Sequence, residues 1–522
     1  MSPARTVVPL VTVLLVVAGL APVTGVAGAG TGTGGFAVLG PDLSSGGVQG
    51  TPDRPASNPS IVQHVEYRLL PNTTGRIGMT LRYEPGANIT SIVTYGAGSR
   101  TLVDAEGFDR RRNGRWVWTG GTPTPSLSFL VTVNRSGPAY HGLGWVDTGD
   151  WALARPRTAF AYRNDGDAWR YSWQDPERIQ KRAQVDGDGV VGSSIVYLGP
   201  HRTTERQISH GTLRVVKPDS SNMTSVDPVV ETIRQASTQL RVGDGDERVT
   251  VFVGPRPLRD GGVAISEHDG SQDVWVSDRE PIAPPHNTWV HEYVHTRQSF
   301  ELGEGMRWFT EASATYYAGL LSVQQGLDGR QGYEAFQSTL QRNYSEGVVL
   351  ANRSDWHGDY TPYSRGTKTL AALDGRIRND TGGNRTLQDV FRRMNTHNGT
   401  VTYGDFSRIV ANVTGTDHGA WLAAHVAGPE RVDVPTDPFV YTVPGGGYDA
   451  DDDGLPTAEE RRAGTHPFDV DTDGDGLPDG YEVYAGTDPT DADTDDDGVP
   501  DGVEVSLGTN PTNTTGYGGL GR

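Results

Sequence analysis

His291-Glu-Tyr-Val-His295 follows the pattern H-E-x-x-H. On a helix, residues four apart share one face, so both imidazoles can reach one zinc ion about 2.0–2.1 Å away. Glu292 stands between them, where it can take a proton from water without binding the metal tightly. A helix is expected because Pro284-Pro285 precede the segment and Asn287 can cap it. The alternative is a pair of surface histidines on an ordinary helix.

A third ligand is available on the next predicted helix, Arg307-Trp-Phe-Thr-Glu-Ala-Ser-Ala-Thr-Tyr-Tyr317. Catalytic zinc takes three protein ligands and keeps one position open for water. Glu311 stands among aromatic residues and alanines, where an unpaired carboxylate would be costly and a metal ion would remove that cost. The alternative is a glutamate on the solvent side of an amphipathic helix. The sequence therefore predicts one catalytic zinc, bound by His291, His295 and Glu311.

The two segments together resemble the gluzincin zinc metallopeptidases, in particular the glycyl aminopeptidase-like branch and the wider leukotriene hydrolase/aminopeptidase clan. They share H-E-x-x-H followed by W-F-x-E-x-x-x-x-Y-Y. The resemblance covers roughly residues 226–427, and the β-rich segment before it is similar in position to the family's N-terminal β-domain. Further matching segments are Tyr363-Ser-Arg-Gly366, Leu370 to Asn379, Thr381-Gly-Gly383, Leu387-Gln-Asp-Val-Phe391, Asp405-Phe406 and Thr414-Gly415.

This resemblance implies a zinc-dependent peptidase that acts on a peptide or protein substrate. Glu292 would be the general base for a zinc-bound water and would return the proton to the leaving amine. Tyr363 falls where the family places a phenol that stabilises the tetrahedral oxyanion, and a neutral donor aimed at developing charge favours the transition state. Tyr360 is the alternative donor, and a structural role for either tyrosine stays open.

Three departures from the family pattern concern the loop, two substitutions and the substrate anchor. Fifteen residues separate His295 from Glu311, which requires a tight connection. Ala312 stands where the family usually has Gly, and Arg365 replaces the usual Lys. No G-x-M-E-N-type strand that would anchor a substrate α-amine is found. Glu267 occupies that region, either as an anchor or as an exposed strand-end residue, so the choice between endopeptidase and exopeptidase stays open.

An acidic segment after residue 448 repeats three times with a period of 22 residues. Each repeat has carboxylates at positions 1, 3 and 5, Gly at 6, a backbone carbonyl at 7 and Glu at 12, which suits a calcium loop better than a magnesium site. The alternative, a disordered acidic tail, would not keep this spacing. The expected ligands at positions 1, 3, 5, 7, 9 and 12 are Asp449, Asp451, Asp453, Leu455, Thr457 and Glu460; Asp471, Asp473, Asp475, Leu477, Asp479 and Glu482; and Asp493, Asp495, Asp497, Val499, Asp501 and Glu504.

The repeats resemble thrombospondin type 3 repeats, with Gly-Thr-x-Pro as the turn between units. That resemblance implies about three structural calcium ions. Neutralising the clustered carboxylates would turn a self-repelling segment into a compact rod or stalk, which offers a possible means of association with a cell surface. Residues 449–511 contain 16 Asp and 4 Glu against two Arg, so most of the formal net charge of −20 is local.

The fold class predicted is a multidomain α+β protein with an N-terminal antiparallel β-sandwich, a barrel being the alternative. A mostly helical, thermolysin-like (gluzincin) catalytic domain and a calcium-binding repeat stalk follow. Short alternating runs separated by turn residues indicate the β-domain, and helical periodicity begins near Asp227. The predicted segments are 1–29 signal peptide, 30–60 flexible linker, 61–218 β-rich domain, 219–427 catalytic domain, 428–448 linker, 449–511 calcium repeats and 512–522 tail.

Composition points to an exported protein. Arg5, the apolar run Val7 to Leu20 and Ala27-Gly-Ala29 read as a secretory signal with its cleavage site, an uncleaved anchor being the alternative. The chain has no cysteine and eleven Asn-x-Ser/Thr sequons, which suggests an extracellular glycoprotein held together without disulfides. Its Arg-rich, Lys-poor composition resembles secreted proteins of halophilic archaea.

The expected location is therefore secreted or on the extracellular cell surface, without a transmembrane anchor after signal removal. The absence of a basic face or tail argues against nucleic-acid binding. The rival interpretation is a non-catalytic surface or adhesion protein that retains the gluzincin fold and a calcium-stabilised stalk. A binding module has no need of a base beside its metal, so Glu292 favours the enzyme.

Overall fold

The computed structural model describes residues 60–514 except 96–99, 113, 137–142, 165–167, 175, 246, 267–270, 343–346 and 357. The predicted signal peptide, almost all of the 30–60 linker, Glu267 and the last eight residues lie outside the described residues. The chain divides into two compact units, Met1–Val230 with Gly245–Glu280, and Glu231–Asp244 with Pro281–Arg522. In the described parts of both units, every helix is too short or too polar to cross a bilayer.

The first unit begins with three five-stranded sheets. One has the order Ile179–Asp186, Ile61–Arg68, Arg76–Pro85, Ser126–Thr132, Arg100–Glu106, with its first pair parallel and the others antiparallel. A second has the order Gly189–Val191, Val196–Leu198, Ala152–Ala154, Leu143–Asp147, Arg135–Ser136. A third has the order Arg170–Tyr171, Phe160–Asn164, Ile89–Tyr95, Arg115–Trp118, Asp109–Arg110.

The faces of the first and third sheets pack against each other. Alternate residues of Ile61–Arg68 are buried, as expected of strands with one face on a core. The ring of Tyr83, from the first sheet, meets that of Phe160, from the third, edge-to-face with centroids 5.1 Å apart. Both rings belong to one continuous apolar core. These packed sheets, which are mostly antiparallel, agree with the predicted β-rich N-terminal part.

A fourth sheet in the first unit has the order His201–Ile208, Gly211–Pro218, Arg248–Gly254, Ser271–Ser277, Gly262–Ser266. Its three middle strands run parallel. Arg248–Gly254 is buried along nearly its whole length, as expected of a central strand covered on both faces. The domain boundary predicted at 218/219 lies between hydrogen-bonded strands of this sheet, since Gly211–Pro218 pairs with Arg248–Gly254.

The described part of the second unit is mostly helical and contains a short pair of strands, Glu301–Leu302 and Thr400–Val401. The predicted fold class is therefore confirmed at the level of a multidomain α+β protein with N-terminal sheets and a helical region. Its α-helices are Thr288–His295, Trp308–Gln324, Gly329–Gln341, Thr367–Asp380, Leu387–Asn395, Tyr403–Thr414 and Gly419–His425; Asp227–Gln239 begins in the first unit, and the repeats add Thr457–Ala463, Asp479–Ala485 and Asp501–Leu507.

The segment predicted as a linker, 428–448, is packed onto the helices of the second unit. Tyr441 is buried and its carbonyl accepts a hydrogen bond from Gln324. Arg378 donates to the carbonyl of Thr442, and Gln337 donates to that of Pro435. Since backbone carbonyls along the segment are engaged by buried side chains, it forms a fixed strap between the helices and the first repeat.

Candidate metal centre and calcium loops

The helix Thr288–His295 is held at its start by Asn287. The Asn287 side chain accepts from the backbone N–H of Val290 at 3.2 Å and donates to the hydroxyls of Thr232 and Ser322. All eight residues of the helix are buried. The predicted cap is therefore present, and it fixes the rotation of the helix so that the two histidines face the helix Trp308–Gln324.

Three nitrogen and oxygen atoms converge between these helices. The Nε2 atoms of His291 and His295 lie 3.0 Å apart, and Glu311 Oε2 lies 3.3 Å from the first and 3.5 Å from the second. Ligands about 2.0–2.1 Å from a tetrahedral zinc stand about 3.3 Å from one another. The three atoms therefore form one face of a tetrahedron of the size that zinc requires, and the residues fit the metal.

The pKa values of the three side chains in this cluster indicate that a metal ion would replace a proton. Burial and the neighbouring His295 lower the pKa of His291 to about 4 despite Glu311. Burial opposes a charge on His295, but the carboxylates of Glu311 and Glu292 outweigh it and raise the pKa of His295 to about 9. Burial likewise opposes ionisation of Glu311, yet the two histidines lower its pKa to about 2. Without metal, near neutral pH, His291 is therefore neutral, Glu311 is ionised and His295 carries one additional proton.

Gln298 fixes the orientation of His295. Its amide nitrogen donates to the carbonyl of Thr310 at 2.8 Å and to the hydroxyl of Ser313 at 3.0 Å. Its amide oxygen therefore faces His295 Nδ1, at 3.0 Å, and accepts the proton of that nitrogen. Once a metal displaces the proton on Nε2, the Nε2 lone pair of His295 is therefore directed to the cluster. Gln298 was not among the residues predicted from the sequence, although its spacing of three from His295 places it just beyond the same helix.

Glu292 is fully buried, one residue after the first histidine. Its charge contributes to the raised pKa of His295, which shows that the carboxylate stands close to the cluster. It belongs neither to the three converging atoms nor to a separate acidic cluster among the described residues. This is the location expected of a base beside the metal.

Tyr363 stands beside the histidine pair on a π-helical turn, Pro362–Gly366. Its ring is nearly parallel to that of His291, at 12°, with centroids 6.0 Å apart. Tyr360 stacks on Tyr363, with ring centroids 6.3 Å apart, and is 41% exposed. The π-helical turn approaches the Glu311 helix closely, since a Cβ on Gly366 would lie 2.7 Å from that of Ala312. Of the two tyrosines, Tyr363 is the nearer to the cluster.

Arg365, one of the departures from the family pattern, is buried away from the three converging atoms. Its Nη2 donates to the carbonyls of His425, Gly428 and Glu430, at 3.3, 3.4 and 2.8 Å. His425 is the last residue of the helix Gly419–His425, and the other two carbonyls follow that helix. The guanidinium thus ties the π-helical turn to the beginning of the packed strap.

In the C-terminal repeats, the expected ligands at positions 1, 3 and 5 converge in all three loops, with carboxylate oxygens within 4.8 Å of one another. The first Asp of each loop accepts from the Gly at position 6, and the Asp at position 5 accepts from the residue at position 7. These clusters are Asp449, Asp451 and Asp453; Asp471, Asp473 and Asp475; and Asp493, Asp495 and Asp497.

The glutamates at position 12 have buried oxygens without a hydrogen-bond partner. Glu460, Glu482 and Glu504 are fully buried, and both oxygens of Glu460 and Glu504 and one of Glu482 lack a partner. Burial and the neighbouring aspartates raise the pKa of Glu460 to about 8 and that of Glu482 to about 8. A bound cation would satisfy these oxygens, so the loops fit calcium.

Position 9 differs from the expectation for a ligand within its own loop. Thr457 donates its hydroxyl to the carbonyl of Tyr448. Asp479 accepts from the backbone N–H and hydroxyl of Thr472, and Asp501 does the same with Thr494. Asp501 lies in a cluster with Asp475 and Glu482 of the preceding repeat, a placement that a single-loop template does not contain.

The repeats match a known family. Residues 471–492 and 493–514 match the bacterial TSP3 repeat, which confirms the resemblance to thrombospondin type 3 repeats over these two units. No curated protein matches the chain.

Solved structures similar to this chain include an aminopeptidase N family protein from Idiomarina loihiensis. That protein shares 10% identity over 72% of this chain and 77% of its own, with a TM-score of 0.49. An M1 zinc metallopeptidase from Deinococcus radiodurans shares 14% identity over 72% of this chain and 95% of its own, with a TM-score of 0.42.

Proposed function

We propose that this chain is a zinc-dependent peptidase. The observation that carries the proposal is the convergence of His291 Nε2, His295 Nε2 and Glu311 Oε2 at separations of 3.0–3.5 Å. Two imidazole nitrogens and one carboxylate with an open fourth position are the ligand set of catalytic zinc in peptidases. Glu292 beside this set distinguishes a hydrolytic site from a purely structural one, where a buried base has no use.

Each residue around the proposed metal site would have a different role in hydrolysis. Bound zinc would supply a Lewis acid that acidifies water and polarises a peptide carbonyl. Glu292 would accept the proton of the attacking water and pass it to the leaving amine. The Tyr363 hydroxyl would donate to the oxyanion, where a fixed donor in a water-poor site favours the transition state. Gln298 would keep His295 in the tautomer that binds metal.

Calcium is proposed for the repeats, as their structural ion. Buried glutamate oxygens without hydrogen-bond partners and the match of two units to the bacterial TSP3 repeat support it. We also infer that the protein is exported and acts outside the cell, free or at the surface, on peptide or protein substrates. The signal-like segment and the eleven sequons support this location.

Replacement of Glu292 tests the proposed activity. The purified protein should contain one zinc and cleave members of a peptide library, whereas Glu292→Gln should retain the zinc and lose hydrolysis by at least about 10²-fold. Glu177→Gln, at an exposed glutamate of the first unit, is the matched control and should cleave normally. Full activity of Glu292→Gln would refute the proposed mechanism. Zinc binding without cleavage of any library member by the natural sequence would favour the adhesion protein instead.

A further inference from the structure

Three positions of the repeat change together. The first repeat has Ala450, Thr457 and Ala458 at positions 2, 9 and 10. The second has Thr472, Asp479 and Gly480 at these positions, and the third has Thr494, Asp501 and Gly502. The combination Thr, Asp and Gly therefore occurs in the two repeats that follow another repeat. It is missing from the first, which follows the packed strap.

The glycine at position 10 allows two repeats to approach closely. The backbone N–H of Gly502 donates to Asp475 Oδ2 at 2.6 Å, and that of Gly480 donates to Asp453 Oδ2 at 3.1 Å. A Cβ on Gly502 would lie 2.4 Å from the carbonyl oxygen of Asp475, and one on Gly480 would lie 2.5 Å from that of Asp453. Any larger residue would force the units apart. Ala458 has no such constraint, because its N–H bonds to Gly446.

The aspartate at position 9 is presented to the preceding repeat. Thr494 holds the Asp501 carboxylate from its own loop, at 3.0 Å through the backbone N–H and 2.6 Å through the hydroxyl. Held in this way, Asp501 has an oxygen within 4.8 Å of those of Asp475 and Glu482. Glu482 is fully buried, and its Oε2 has no hydrogen-bond partner. A buried, unpartnered oxygen close to two further carboxylates favours a bound cation, because the alternative is to keep the carboxyl group protonated.

We propose that the calcium ion of the first and of the second repeat each takes the position 9 aspartate of the next repeat as an additional ligand. Asp501 would complete the site of the second repeat, and Asp479 would complete that of the first. The proposal rests on the proposed calcium binding. Calcium accepts six to eight oxygens, so a ligand from the neighbouring unit is easily accommodated. The ion thereby cross-links consecutive repeats.

Calcium counting on the full-length protein tests this assignment. Calcium and zinc are quantified separately by mass spectrometry after equilibrium dialysis, for Asp501→Asn alone and combined with Glu482→Gln or Glu504→Gln. We expect Asp501→Asn to weaken one calcium site at least about tenfold. Because residues of one site are not additive, Glu482→Gln should cause no further loss in that background, whereas Glu504→Gln should cost a second ion. Asp496→Asn, an exposed position with φ of 59° that suits Asn, makes the same charge change and should bind as the natural sequence does.

Each alternative predicts a different number of bound calcium ions in these variants. If Asp501 serves its own loop, Glu504→Gln causes no further loss and Glu482→Gln costs the second ion, which overturns the proposal. Loss of two ions by Asp501→Asn alone would assign the carboxylate to the folding of both repeats and would also overturn it. A natural protein whose repeats bind no calcium would refute the calcium proposal itself, a result visible before any variant is made.

Discussion

Gln298 Oε1 accepts the Nδ1 proton of His295 at 3.0 Å, while the same amide donates to the helix that carries Glu311. One side chain thus connects a candidate zinc ligand to the element that supplies another. Residues that orient metal-binding histidines in this way usually contribute 10–100-fold to metal affinity.

Replacing Gln298 by Ala should therefore weaken zinc binding by about 10–100-fold. The freed imidazole can rotate and adopt the other tautomer. We therefore expect zinc affinity to decrease more than the stability of the fold. Competition with a chromophoric chelator measures the dissociation constant. Gln341→Ala, at an exposed glutamine, is the control. Unchanged zinc affinity in Gln298→Ala would show that the histidine is oriented by its helix alone.

Zinc affinity should fall with decreasing pH. The pKa of His295 is raised to about 9 without metal, while His291 titrates near 4 and Glu311 near 2. Between roughly pH 5 and 8 zinc must displace one proton, from His295, so the dissociation constant should increase about tenfold for each unit of decreasing pH. Calorimetry in buffers of different ionisation enthalpy should count about one proton released. A pH-independent constant would contradict this charge assignment.

The stability of the metal-free protein should decrease with increasing pH, whereas zinc affinity should increase. A histidine pKa raised in the folded state adds stability that is fully present below the ordinary value of about 6.5, and this stability is lost as the pH rises through about 9. Thermal unfolding of the chelator-treated protein between pH 6 and 9 provides the measurement. His295→Gln should remove most of this pH dependence.

Tyr363→Phe should lower kcat by about 10²-fold and change KM much less. A donor to the oxyanion acts in the transition state and contributes little to ground-state binding. Tyr360→Phe should stay within a few-fold of the natural enzyme, because its ring stacks on Tyr363 and is further from His291. The reverse pattern of kcat values would identify Tyr360 as the donor.

The convergence of His291, His295 and Glu311 could be predicted from the sequence because its geometry is local. Residues 291 and 295 share a helix face whatever surrounds them, and Glu311 lies one short connection later. That connection contains the strand Glu301–Leu302 and a 3-10 turn, Glu304–Met306. The contribution of Gln298 was not predictable, since its partners Thr310 and Ser313 meet it only once the two helices are packed.

Contacts between distant segments account for the remaining differences. The strand pairing of Gly211–Pro218 with Arg248–Gly254 is parallel, and parallel pairs require a long connection whose direction sequence alternation does not reveal. The segment 428–448 has the Pro and Gly content of a linker, yet its carbonyls match donors on three helices. The placement of Asp501 depends on how two repeats stack, which the template of one loop does not describe.

Phe468 attaches the first repeat to the helix Gly329–Gln341. Its fully buried ring stacks on Tyr333 at 24°, with centroids 5.4 Å apart, and Arg330 forms an ion pair with the adjacent Asp469 at 2.9 Å. Phe468→Ala should cost about 3–5 kcal/mol, whereas Arg330→Ala should cost less than about 1 kcal/mol because that pair is partly exposed to solvent. Calcium-loaded Phe468→Ala should therefore melt earlier and be cleaved by protease near the strap, and Tyr484→Ala, at a residue 91% exposed in the second repeat, should behave like the natural protein. Equal effects of the Phe468 and Arg330 variants would mean that charge, and not apolar burial, attaches the repeats to the helix.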